Sequence, residues 1–155
     1  MPGGENQWKS NGGFRVKHRH SPASYKACRR KTEANHKEET TMPFIHAKLT
    51  TTPTQEEMEA IKTDLGQAIA KIPGKSENWL MVQLQGGCAL WHQGKAFEKI
   101  AMVEVQIYGA PSDASCNALT GEITKILERR LGYPPEHVYV SYQFCTQWGW
   151  NGNNF

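Results

Sequence analysis

Residues 42–74, MPFIHAKLTTTPTQEEMEAIKTDLGQAIAKIPG, decide the fold. Phe44 to Thr50 alternates in part and carries β-branched and aromatic members, so it reads as a strand. Thr54-Gln55-Glu56-Glu57 is a capping box: the Thr54 hydroxyl accepts from the backbone of Glu57, whose carboxylate reaches back. Met58, Ile61, Leu65, Ala68, Ile69 and Ile72 then recur at three- and four-residue steps, the stripe of an amphipathic helix. Pro73-Gly74 ends that helix, and Trp79 to Leu84 reads as a second strand.

The pattern then repeats. Ile100 to Tyr108 alternates as a strand, Ser112 caps a helix with the stripe Cys116, Leu119, Ile123, Ile126 and Leu127, and Gly132, Pro134 and Pro135 stop it. His137 to Phe144 closes the order as a strand. Between the halves, Cys88 to Trp91 reads as a short strand and His92-Gln93-Gly94-Lys95 as a turn. Two βαβ units imply parallel strand pairs with right-handed crossovers. The expected fold class is therefore α+β: a βαββαβ domain with both helices on one face of a mixed sheet. Trp79-Leu80-Met81-Val82 looks apolar enough to need cover on both faces, which points to self-association.

The net charge of +3 is unevenly distributed. Residues 1–41 hold nine Lys/Arg against four Glu, whereas residues 42–155 hold nine Lys/Arg against eleven Asp/Glu. The mildly acidic domain gives no reason to expect nucleic acid as a partner. Val16 is the only Val, Leu or Ile in the first 41 residues, so that segment reads as a disordered basic extension. One reading makes it an arm for anionic surfaces, with Trp8, Phe14 and Tyr25 as stacking groups. Another makes it translated upstream DNA. Lys37-Glu38-Glu39 permits the spelling AAG-GAG-GAG, a bacterial ribosome-binding sequence, ahead of a start at Met42. The nucleotide sequence decides between them.

No apolar run approaches the roughly 20 residues a membrane span needs, and Met1 to Lys9 lacks the apolar stretch of a signal peptide. A cytoplasmic location is the expectation, with leaderless export as the alternative. The four cysteines, Cys28, Cys88, Cys116 and Cys145, show no disulfide spacing. Cys88 and His92 stand four apart but lack two further ligands at a familiar spacing, so no metal is expected.

Pro43 carries the candidate chemistry. Inside an uninterrupted chain it is a strand-opening residue. If translation starts at Met42 and that Met is removed, Pro43 presents a secondary amine. An ordinary α-amino group titrates at about 7.7–8.0. Burial and a neighbouring cation both lower that value and leave a free base at neutral pH.

Met42-Pro43-Phe44-Ile45, Ile72-Pro73-Gly74-Lys75, Val138-Tyr139-Val140 and Trp148-Gly149-Trp150-Asn151-Gly152 together resemble the macrophage migration inhibitory factor family of the tautomerase superfamily. The resemblance spans Met42 to Phe155. It implies a homotrimer of βαββαβ subunits that needs no metal or organic cofactor. It also implies keto–enol tautomerisation of phenylpyruvate and isomerisation of dopachrome, with the terminal Pro as base. By position, Pro43 matches the catalytic Pro, Lys75 the Lys that binds the substrate carboxylate, and Tyr139 the Tyr supplied by an adjacent subunit. Tyr108 stands where the family often has Ile, and Ser141 where animal members have Asn. Trp148 and Trp150 fall at the aromatic wall.

Tyr108 and Ser141 alter the size and hydrogen bonding of the expected pocket. The Cys-x-x-Cys of animal members is replaced by Ala101-Met102-Val103-Glu104, so thiol redox activity is not expected. Hydration-driven dehalogenation or decarboxylation would call for extra pocket arginines, whereas the domain's Arg129 and Arg130 lie at the end of the second helix. The expected function is tautomerisation of a small aromatic 2-keto acid. The alternative is a non-enzymatic, cytokine-like binding protein on the same trimer.

Overall fold

The two βαβ halves meet along an antiparallel seam. The computed structural model describes residues 42–154, so the expectations for residues 1–41 lie outside the described residues. The order is β1 (Pro43–Leu49), α1 (Gln55–Ala68), β2 (Met81–Gln85), β3 (Ala101–Tyr108), α2 (Asp113–Leu131) and β4 (Val138–Cys145). A small hairpin of β5 (Gly149–Trp150) and β6 (Asn153–Asn154) follows. The main sheet runs β2-β1-β3-β4. Within each half the strands are parallel, β1 with β2 and β3 with β4, and β1 and β3 join antiparallel.

Alternation along β1 and β3 sets the core. Ile45, Ala47 and Leu49 on β1 and Ala101, Val103, Val105 and Ile107 on β3 are buried against the helices. From α1 come Ile61, Leu65 and Ala68, and from α2 the whole predicted stripe of Cys116, Leu119, Ile123, Ile126 and Leu127. Thr54 and Glu57 form both arms of the capping box, and Ser112 caps α2 by accepting from Ser115 N–H. Gly132 ends α2 with φ +69°, a conformation that favours glycine. It turns Tyr133 into the core, where the hydroxyl accepts from Thr51 N–H at 3.1 Å.

Three expectations need correction. Cys88 to Trp91 is not a strand: it runs irregularly beyond β2 and makes no ladder, with Cys88 N–H donating to Leu49 O at the end of β1 at 2.9 Å. The spacing of the α1 stripe predicts helix as far as Ile72. Instead α1 gives way to a 3₁₀ turn over Ile69–Lys71, and Ile72 is extended because Pro73 disfavours the helical conformation before it. Trp79 lies in a 3₁₀ turn, Glu77–Trp79, and β2 itself alternates. Val82 and Leu84 pack on the core while Met81 is exposed.

The apolar run before and within β2 is therefore one-sided. The sheet face away from the helices carries His46, Lys48 and Glu104, with Lys48 Nζ 2.8 Å and His46 Nδ1 3.5 Å from the Glu104 carboxylate. That face is chiefly polar, so the demand for apolar cover comes from single side chains such as Met81 and Tyr139.

One ion-pair cluster fastens the helices together. Asp64 on α1 accepts from Arg129 Nη2 and Arg130 Nε of α2, each at 2.8 Å, and from Arg130 Nη2 at 3.2 Å. The Arg130 hydrogen bond holds the Asp64 carboxyl below its ordinary value despite partial burial. A lowered folded pKa stabilises above the unfolded value of about 3.9 and is lost as pH falls through the folded value. Both guanidiniums are solvent-accessible, so screening limits the contribution to about 1 kcal/mol. Asp64→Asn is expected to lower stability by about that amount at pH 7. In denaturant titrations its gap from the parent should close below about pH 4, and a gap unchanged at pH 2.5 would contradict this role for Asp64.

Candidate functional site

The antiparallel register places Pro43 opposite Ile107, so the first residue of β1 sits beside the C-terminal end of β3. Pro43 is buried. Lys75 follows Gly74, whose φ of +78° turns the chain back after Pro73. The Lys75 ammonium donates to Tyr108 O at 2.8 Å, which brings it to the same end of β3. Trp79 and Trp150 meet edge to face with ring centroids 5.3 Å apart, a favoured aromatic geometry. Trp79 precedes β2, and the β2 residue Met81 pairs with Phe44, so this aromatic pair lies at the β1 start as well. A buried proline, an anchored ammonium and two indoles thus share one end of the sheet.

The hairpin that carries Trp150 turns through Asn151 and Gly152, with φ +50° and +82°. Positive φ at both central residues is the geometry of the tight Asn-Gly hairpin turn. Trp148 is partly buried in the link before β5. Trp79 is a partner that sequence reasoning does not single out, because nothing local to a strand-like run shows that it meets Trp150.

Tyr139 and Ser141 are elsewhere. Tyr139 pairs with Met102 and Ser141 with Glu104, at the far end and middle of β3. Met102 and Ile107 are five residues apart on β3, which at about 3.4 Å per residue puts Tyr139 roughly 17 Å along the sheet from Pro43. Tyr139 is 52% exposed, and its hydroxyl is 3.0 Å from His92 Nε2. One chain therefore gathers Pro43, Lys75, Tyr108 and Trp150 but separates Tyr139 and Ser141 from them.

Cys88 and His92 have other partners. Cys88 Sγ donates to Gln85 O at 3.4 Å, and His92 engages Tyr139. Among the described residues no group of three or more His, Cys, Asp or Glu side chains is placed to hold a metal ion. Also among the described residues, no helix is long and apolar enough to cross a membrane. Ala101-Met102-Val103-Glu104 forms the start of β3, with Ala101 and Val103 in the core.

Fold and site together define a small α+β protein of the tautomerase superfamily, two βαβ units on one mixed sheet with a proline at the head of β1. The profile of the macrophage migration inhibitory factor family matches residues 42–155, and the chain belongs to that family. Leishmania major MIF2 is similar in structure, with a TM-score of 0.69 and 24% identity over 74% of this chain and 97% of that one. The macrophage migration inhibitory factor homologue from Prochlorococcus marinus matches with a TM-score of 0.61 and 23% identity over 72% of this chain and 98% of that one. A fused 4-OT, solved as an asymmetric trimer, matches with a TM-score of 0.63 and 16% identity over 71% of this chain and 94% of that one. Among curated proteins no sequence matches the chain.

Proposed function

We propose that this protein is a keto–enol tautomerase for small aromatic 2-keto acids such as phenylpyruvate, with the secondary amine of Pro43 as the base. The observation that carries the reading is the convergence at one sheet end of buried Pro43, the Lys75 ammonium on Tyr108 O, and the Trp79–Trp150 pair. Family membership supports a tautomerase-type chemistry. The substrate and the roles of individual residues are our own assignment.

In this mechanism Lys75 holds the substrate carboxylate as a compact positive charge. The aromatic ring lies along Tyr108 and Trp150, with Trp148 on the outer wall. Pro43 nitrogen takes a proton from C3, the electron pair of that C–H bond forms the C2–C3 double bond, and the carbonyl oxygen receives the proton from the Pro43 ammonium. Burial of Pro43 and the nearby Lys75 charge both favour the neutral amine between turnovers. The site reaches its full complement in a homotrimer, where Tyr139 and Ser141 of a neighbouring copy meet the Pro43 end. No organic cofactor or metal enters any step.

Residues 1–41 determine whether this chemistry is available. With them attached, Pro43 nitrogen is an amide and has no basic lone pair. Protein beginning at Pro43 is expected to enolise phenylpyruvate, followed by enol absorbance in a low-background buffer, and intact long protein is expected to be inactive. Inserting Ala ahead of Pro43 moves the amine by about 3.8 Å and should remove nearly all activity, because misplacement of about 1 Å already costs about 100-fold. Equal activity in long and short forms of verified mass would overturn the proposal in favour of a binding protein. Sedimentation of the short form at micromolar concentration is expected to give a trimer, and a monomer alone would remove the shared site.

A further inference from the structure

We infer that His92 is a positioning residue that fixes the Tyr139 hydroxyl as a hydrogen-bond donor to an oxygen of the substrate. This rests on the reading above, in which Tyr139 faces the site of a neighbouring copy.

The His92 ring is held on every side that the fold controls. Its backbone closes a two-residue hairpin, with His92 N–H to Lys95 O at 2.9 Å and Lys95 N–H to His92 O at 3.0 Å. Gln93 and Gly94 between them have φ of +52° and +71°, the paired positive values of a tight hairpin turn. The imidazole stands edge-on to His137 and Tyr139, each with centroids 5.4 Å away, and tilted against Phe97 at 6.0 Å. His137 is itself tied down, with Nδ1 3.1 Å from Lys99 O and its ring 4.5 Å from Phe97. A histidine this constrained cannot swing to a second partner without breaking the hairpin or the ring cluster.

Its two nitrogens are in different situations. Nε2 lies 3.0 Å from Tyr139 Oη. Nδ1 is buried and has no hydrogen-bond partner among the described residues. A neutral imidazole carries one N–H, and its place follows from the surrounding network. A proton on Nδ1 would leave a buried N–H unpaired, which is rare in folded proteins because the group loses water and gains nothing. A proton on Nε2 meets the Tyr139 oxygen, and only a lone pair is left without a partner. His92 Nε2–H therefore donates and Tyr139 Oη accepts.

The direction of that bond decides what Tyr139 offers a ligand. With one oxygen lone pair engaged by His92, the phenolic O–H points to a different partner, and a ligand that takes it must supply an acceptor. Tyr139 also borders an open cavity of about 390 Å³ whose wall includes Leu90, Trp91, His92, Ile100 and Met102. Trp91 is 68% exposed and Tyr139 52%, so both faces are available to a bound molecule. A wall that is largely apolar apart from His92, Gln93 and the Tyr139 hydroxyl suits an aromatic acid whose carbonyl or enolate oxygen meets that hydroxyl.

The test uses the form beginning at Pro43. His92→Phe keeps a ring against Phe97 and His137 but has no donor, and is expected to lower kcat/KM roughly fivefold, the size of one hydrogen bond. His92→Gln carries an amide N–H near the Nε2 position and should recover most of the loss. Tyr139→Phe should lose at least as much as His92→Phe, and adding His92→Phe to it should cost nothing more. The same loss in both backgrounds would show that His92 acts by another route and overturn the inference. Nitrogen-15 spectra of the parent imidazole are expected to show Nε2 protonated and Nδ1 bare, and the opposite tautomer also overturns it. If the short form proves catalytically inactive, the tautomerase reading fails separately. The tautomer, and binding of phenylpyruvate read by tryptophan fluorescence across the same variants, then decide the role of His92.

Discussion

The antiparallel pairing of β1 with β3 is the constraint on which the rest of the structure depends. Each βαβ half alone buries its helix against two parallel strands and leaves a strand edge open. The seam joins those edges into one sheet, and of its seven register pairs the four that face the helices, Pro43–Ile107, Ile45–Val105, Ala47–Val103 and Leu49–Ala101, lie on a shared core face. A slip of one residue would turn every one of those side chains to the polar face beside Lys48 and Glu104. The same register puts Pro43 across from Ile107, next to the carbonyl that anchors Lys75. Fold and candidate site are therefore set by one pairing.

The periodic parts of this arrangement were legible in the sequence. Side-chain period distinguishes strand from helix wherever one face is buried, and both helix caps are local chemistry, as Thr54 with Glu57 and Ser112 with Ser115 show. Cys88 to Trp91 has the composition of a short strand, while a strand also needs a neighbour to pair with, and sequence does not show the neighbour. Trp79 and Leu80 read as strand on the same grounds, although the 3₁₀ turn over Glu77–Trp79 ends the segment before β2. The second sheet face was expected to be apolar from four residues, whereas His46, Lys48 and Glu104, drawn from two strands, make much of it polar.

For the site, the sequence supplied residue types and the resemblance supplied their roles, but pairings between distant positions waited for the fold. His92 and Tyr139 are 47 residues apart and meet only because the Gln93-Gly94 turn returns the chain beside β4. Trp79 and Trp150 likewise meet across most of the domain. The separation of Tyr139 from Pro43 along the sheet is as informative as these contacts. It divides the candidate machinery between two ends of one subunit, so an assembly that sets one copy's β4 start against another's β1 start would complete the site. Oligomerisation would then be a requirement of the chemistry rather than a response to exposed apolar surface.

The proposed mechanism requires Pro43 to be a free amine at neutral pH. Nitrogen-15 labelling of proline in the form that begins at Pro43 allows that amine to be titrated directly by NMR. A midpoint below the range of about 7.7–8.0 of an ordinary α-amino group is expected, because the site is buried and Lys75 stands at the same sheet end. The rate of phenylpyruvate enolisation is expected to rise through the same midpoint as the amine loses its proton. An amine that stays protonated above pH 8, or a rate that ignores its titration, would contradict the account.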